Sequence, residues 1–337
     1  MKSELVWSTL PEPRDGLPNA VNDVVFSPDG RQVLVAVGNR VMVYDAVEGV
    51  LQHQLRGHKD VIYALAYSRD GKRFASGGAD RNIIIWTSKC EGILKYSHSE
   101  AVQCLAYNPI TQQLASGTAG DFGLWSSEQK AVQKFKVTAK VLCCGWTNDG
   151  QYVALGQFNG HISIRDCSGN EKVRIERSAP VWALAWSPPT KEPHTHTHSH
   201  AASGAASGAA AASAEGGAMA VATASASGIP TSGVVAGGLG QKDVLAVACW
   251  DQTLSFYLLS GAAAGKERAL DFDPCALSYF DDGEYILLGG SDRKVSLYSR
   301  EGAFLKSAAD TPHWVWTVKN RPKSRFLVGR TNPTRGR

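Results

Sequence analysis

Along most of this chain apolar and polar residues alternate in short runs, each closed by a turn rich in Ser, Asn, Asp, Pro or Gly. The stretches VNDVVFSPDG from Val21, VIYALAYSRDG from Val61, VQCLAYNPITQQ from Val102 and VLCCGWTNDG from Val141 share one pattern. VWALAWSPP from Val181, CALSYFDDG from Cys275 and WVWTVKNRP from Trp314 repeat it. Each copy continues into a second run, such as RQVLVAVG, KRFASGG or EYILLGG, and six add a third ending on an aromatic or bulky residue, as in VMVY, IIIW and VSLY. β-branched residues alternating between Gly, Asp and Asn turns, with no run long enough for a helix, predict β-strands.

The residues that open the turns are Ser27, Ser68, Asn108, Thr147, Ser187, Phe280 and Asn320. Most are spaced about 40 residues apart, the period of a propeller blade. Seven copies therefore predict an all-β, seven-bladed β-propeller occupying 1–337 as a single domain. Its last blade is expected to be incomplete, because after Gly329 the sequence TNPTRGR supplies neither a turn nor a third strand.

The sixth copy arrives about 53 residues late for such a period. Composition accounts for the delay, since 18 of the 20 residues from 201 to 220 are Ala, Ser or Gly, preceded by HTHTHSH. Such a segment buries too little apolar surface to offset its ordering entropy. Residues 190–242 are thus expected to form a flexible insertion inside blade five, between Val181–Trp186 and Val244–Cys249. Residues 330–337 read as a solvated basic tail and a truncation point.

The second copy carries a more specific signal. Gly57-His58 precedes Trp86 by 28 residues and Asp80 precedes it by six. With Ser76 these residues resemble the WD-repeat family, where such a set forms a buried hydrogen-bond chain through His58, Ser76, Asp80 and Trp86. Longer blocks narrow the likeness: LRGHKDVIYALAYSRDGKRFASGGADRNIIIW, DFGLWSSEQKAV, WTNDGQYVALGQFNGHISIR and FDPCALSYFDDGEYILLGGSD. These are similar to the amino-terminal propeller of WD-repeat subunits of intraflagellar transport complex A. The resemblance implies a non-catalytic scaffold for retrograde intraflagellar transport, cilium assembly and ciliary membrane-protein trafficking. Its implied partners are other complex A subunits and ciliary cargo or cargo adaptors, and its implied locations are the cilium or flagellum, the basal body and the cytoplasm. It further implies that a strand at Leu5 to Ser8 closes the ring as the outer strand of the last blade. An adaptor of another assembly, such as a vesicle coat or ubiquitin ligase, is the alternative.

Chemistry and charge change this picture little. Ser76, His58 and Asp80 invite a nucleophilic reading, but no GxSxG elbow surrounds Ser76. His194, His196, His198 and His200 alternate in the insertion, where nothing would orient their rings around a metal. GAAAGKE has three residues between its glycines, and Glu267 stands where a phosphate loop needs Ser or Thr. Asp271 and Asp273 in DFDP read as turn formers. No cofactor is expected. Seven cysteines without a CxxC pair suit a reducing compartment. The net charge of +4 is spread rather than striped, which disfavours nucleic acid as a partner. No signal peptide or transmembrane segment is apparent. Lys89, Glu91, Glu128 and Lys130, in and around loops taken to join blades, form a candidate partner surface.

Overall fold

The computed structural model describes residues 6–9, 20–126, 132–189, 243–324 and 327–331. Blade one comprises β1 (Val21–Phe26), β2 (Gln32–Val37), β3 (Arg40–Asp45) and β4 (Leu51–Arg56). Blade two follows with β5 (Ile62–Tyr67), β6 (Arg73–Gly78), β7 (Asn82–Thr87) and β8 (Gly92–Ser97). Blade three holds β9 (Cys104–Tyr107), β10 (Leu114–Gly117), β11 (Asp121–Trp125) and β12 (Gln133–Lys136). In blade four are β13 (Val141–Trp146), β14 (Tyr152–Gln157), β15 (His161–Asp166) and β16 (Glu171–Glu176). Blade five has β17 (Val181–Trp186), β18 (Val244–Cys249), β19 (Thr253–Leu258) and the two-residue β20 (Arg268–Ala269). Blade six is β21 (Pro274–Tyr279), β22 (Tyr285–Gly290), β23 (Lys294–Ser299) and β24 (Phe304–Asp310). Within each blade the strands are antiparallel and in sequence order.

The seven-bladed expectation is corrected here. Six four-stranded blades form, and the seventh repeat supplies only a two-stranded hairpin, β25 (Val315–Asn320) with β26 (Leu327–Thr331). The described molecule is a six-bladed WD-repeat propeller plus this hairpin, because the repeat contributes no third or outer strand among the described residues. The strand expected over Leu5 to Ser8 is not seen in Val6–Thr9 either. Instead Trp7 lies against blade one, its ring 6.0 Å from that of Tyr44 and its indole N–H donating to the Ala46 carbonyl at 3.4 Å. The insertion at 190–242 and the tail beyond Thr331 lie outside the described residues.

The second strand of each blade is buried almost throughout, as in QVLVAV and YVALGQ, because neighbouring blades cover both faces of the sheet. The core is therefore divided into layers between blades. One layer packs Leu34, Ile62, Phe74 and Trp86 between blades one and two, and another packs Ile162, Val181, Trp186 and Leu245 between blades four and five. Outer strands such as LQHQLR and GILKYS are mostly exposed.

Turns between the first two strands repeat one device. Ser27, Ser68 and Thr147 donate their hydroxyl to Asp29, Asp70 and Asp149 at 2.6, 2.7 and 2.6 Å. Gly30 then takes φ +72°, a left-handed conformation that a side chain disfavours. That turn also meets the hairpin, whose Arg321 Nε donates to the Gly30 carbonyl at 2.7 Å. On the channel side Asp23 accepts the Leu65 N–H at 2.9 Å and the Thr317 hydroxyl at 3.4 Å. Blade one is thus hydrogen-bonded to blade two and to the hairpin through one carboxylate.

Candidate functional site in the buried chains and the face above them

The face of the propeller that carries the connections between blades is built on side-chain chains inside them. In blade two the Trp86 indole N–H donates to Ser76 Oγ at 2.8 Å, and Ser76 Oγ lies 2.8 Å from His58 Nε2. His58 Nδ1 is 3.0 Å from Asp80 Oδ1, whose other oxygen accepts the Lys59 backbone N–H at 3.0 Å. The acceptors and donors balance when Ser76 donates to Nε2 and Nδ1–H donates to Asp80. Burial alone would raise the Asp80 pKa, but the hydrogen bonds from His58 and Lys59 outweigh it and hold the carboxyl below its ordinary range.

Blade three contains a second chain that the sequence reading passed over. Trp125 Nε1–H donates to Ser116 Oγ at 2.7 Å, Ser116 Oγ lies 2.8 Å from His98 Nε2, and His98 Nδ1 lies 2.9 Å from Asp121. The signal was present, since His98 precedes Trp125 by 27 residues, but Ser97 occupies the place of the expected glycine and Asp121 is shifted toward the tryptophan. Thr118 fixes the shifted carboxylate with a 2.8 Å hydrogen bond. Burial lowers the His98 pKa, opposed in part by Asp121. Ser76 and Ser116 are completely buried beneath an indole, leaving no approach for a substrate.

Elsewhere the same positions are filled differently. The residues that match His58 by their offset from the inner strand are Val137, Arg177 and Leu270 in blades four, five and six. Like His98, each donates its backbone N–H to the preceding blade. Residues matching Ser76 by sheet register are Leu155, Val247 and Leu288, all fully buried. Blade five places a hydroxyl one strand further out, where Ser255 donates to Glu267 at 2.7 Å. Glu267 and Asp251 pair with Arg177 at 2.6 and 2.8 Å. Burial would lower the Arg177 pKa, but Glu267, Tyr257 and Asp251 drive it upward. Blade four uses a related set, with Ser163 donating to Glu171 at 2.5 Å and Arg165 bonding to both.

Lys89 and Glu91 are exposed in the turn between β7 and β8. This turn lies within blade two rather than between blades, because the Thr87 N–H donates to the Glu91 carbonyl and closes the hairpin. Glu128 and Lys130 fall outside the described residues, as do the four alternating histidines. The inner strands surround a cavity of about 410 Å³ whose lining includes Asp23, Cys143, Cys144 and Lys319. Burial raises the Asp23 pKa, countered by Lys319, and raises that of the Cys143 thiol. No group of three or more His, Cys, Asp or Glu side chains suited to a metal occurs among the described residues. No helix among them is long and apolar enough to cross a membrane.

Stacked four-stranded blades with a Trp–Ser–His–Asp chain in two of them define a WD-repeat β-propeller. Residues 20–334 match the family described as the IFT122 first beta-propeller, and the chain belongs to that family. It is 48% identical to the intraflagellar transport protein 122 homolog of Danio rerio, over 97% of this chain and 24% of the relative. For the Homo sapiens homolog the identity is 46%, over 97% of this chain and 27% of the relative. A cilia- and flagella-associated protein 52 of Chlamydomonas reinhardtii is 27% identical over 45% of the chain and 27% of its own length. The chain thus spans about a quarter of the length of the curated intraflagellar transport relatives it matches.

Proposed function

We propose that this chain acts as the first-propeller portion of a WD-repeat scaffold subunit of intraflagellar transport complex A. The observation that carries the reading is its 46–48% identity to intraflagellar transport protein 122 homologs across nearly the whole chain. The work proposed is retrograde intraflagellar transport, cilium assembly and trafficking of ciliary membrane proteins, done by protein contact and without catalysis. Closed serines beneath Trp86 and Trp125 support the non-catalytic part, since a nucleophile needs access to a carbonyl. The proposed partners are other complex A subunits and ciliary cargo or its adaptors, at the cilium or flagellum, the basal body and in the cytoplasm. Lys89, Glu91, Glu128 and Lys130 are the proposed contact surface.

The test is affinity purification of the longer protein that contains this chain from ciliated cells. Complex A subunits are expected to co-purify, and to do so less well when the four surface residues are replaced by Ala. Full recovery by that variant removes these residues from the interface. Recovery of coat or ligase subunits in place of complex A removes the assignment itself.

A further inference from the structure

Six inner strands bulge immediately after their first residue. A bulge leaves its extra residue unpaired and re-aims that side chain. The extra residues are Asn22, Tyr63, Leu142, Trp182, Cys275 and Trp316, and all of them line the central cavity. Around blade six the outcome is unlike the rest. Trp182 and Trp316 belong to the strands on either side of β21, and only the small Cys275 stands between them. The two indoles meet across it with centroids 5.9 Å apart. Trp250, in the turn after β18, lies flat on Trp182 at 4.3 Å with 4° between planes, while Trp314 stacks on Trp316 at 5.5 Å. Each of these tryptophans is partly exposed as a residue, though the Trp250 indole N–H is buried, and together they form an arch of four tryptophans on the face of the propeller.

Two carboxylates adjoin this arch. The Asp273 N–H donates to Ser291 Oγ at 2.9 Å and the Ser291 N–H donates to the Asp273 carbonyl at 3.1 Å, which fastens the loop of Asp273 to that of Asp292. The Cys275 thiol beneath the arch lies 3.6 Å from the Asp273 carbonyl, and burial pushes its pKa up to about 12, with the Asp273 and Asp292 carboxylates adding to the rise. Both aspartates are partly exposed. The Asp273 carboxylate accepts a 3.3 Å hydrogen bond from the Gln252 amide. Arg293 and Lys294, which follow Asp292 in its turn, are exposed, and the Lys294 N–H donates to the Asp292 carboxylate at 3.2 Å.

Apolar area by itself would not select an occupant; charge does, through Asp273 and Asp292 beside the arch, set against Lys140 and Lys319 in the cavity lining that Trp182 and Trp316 share. Indole faces attract cations, and a neighbouring carboxylate adds to that attraction while repelling acidic groups. Tryptophan clusters also dominate binding energy where they become desolvated. We infer that the tryptophan arch over blade six docks a partner polypeptide through an arginine or lysine, its alkyl stem on the indoles and its cation against Asp273 and Asp292. The inference concerns this face of the propeller alone and does not depend on which assembly the protein joins.

The test titrates this chain with nonapeptide libraries centred on Arg, citrulline or Glu, following tryptophan fluorescence and calorimetry. Arg-centred peptides are expected to bind at least tenfold more tightly than the citrulline and Glu sets. The Asp273→Asn/Asp292→Asn variant is expected to lose that tenfold preference at an unchanged melting temperature, and Trp182→Ala to lose binding to all three sets. Equal binding of the Arg and citrulline sets overturns the inference, as does an undiminished preference in the double Asn variant. Absence of peptide binding also overturns it, and binding to phosphatidylcholine vesicles instead would make the arch a membrane-contacting surface.

Discussion

Blades two and six occupy equivalent places in the ring yet fill their interiors in opposite ways. At three matched positions blade two has His58, Ser76 and Trp86, whose polar atoms satisfy one another and Asp80. Blade six has Leu270, Leu288 and Tyr298 at those positions. A buried polar group needs its partner, so His58, Ser76 and Trp86 give way together, although blade six keeps Asp292 at the place of Asp80 and leaves the Tyr279 hydroxyl without a partner among the described residues. Blade five shows a third solution, in which Arg177 replaces the histidine and two carboxylates answer its charge. The difference teaches that the Ser–His–Asp set is one of several interchangeable ways to fill the interior of a blade.

The largest expected effect comes from forcing one blade's residue on another. Leu155→Ser in blade four removes a buried leucine and introduces a hydroxyl beside apolar neighbours, and should cost about 3 to 5 kcal/mol in denaturant unfolding. Ser76→Ala should cost about 2 to 3 kcal/mol, because it strands both His58 Nε2 and the Trp86 indole N–H. If that variant unfolds at the wild-type denaturant midpoint, the chain in blade two contributes nothing to folding.

A smaller effect appears on acidification. His98 has its pKa lowered by burial, so below the ordinary value of 6.5 the unfolded chain binds a proton that the native blade resists. Its contribution is complete above that value and declines as pH falls from it toward the folded pKa, by at most about 1.4 kcal/mol per pH unit for one proton. Asp80, with a lowered pKa, loses its contribution only further into acid. His98→Gln should therefore flatten the decline in melting temperature between pH 6.5 and 5. An unchanged slope would mean that another group controls it.

Much of this was legible in the sequence, for reasons that differ between elements. Second and third strands such as QVLVAV and NIIIWT are covered on both faces and announce themselves as apolar runs. Outer strands such as LQHQLR and QKFK face solvent, carry no such pattern and are placed only by pairing with β3 and β11. The repeat count misled about the blades, because a seventh copy of the first two runs specifies a hairpin but not a four-stranded sheet. His98 carries no Gly-His signature because Ser97 precedes it, whereas the hydrogen bonds require only the histidine. The tryptophan arch could not be read from the sequence at all, since Trp182, Trp250 and Trp316 come together through bulges and blade order.

The central claim is that the Ser–His–Asp chain is architecture, and converting blade two into the blade six solution tests it most directly. His58→Leu, Ser76→Leu and Trp86→Tyr would be made singly and together, with unfolding free energies measured for each. The account predicts that the triple variant loses less than half the sum of the single losses, because His58, Ser76 and the Trp86 indole N–H leave together. A triple loss equal to that sum would contradict it.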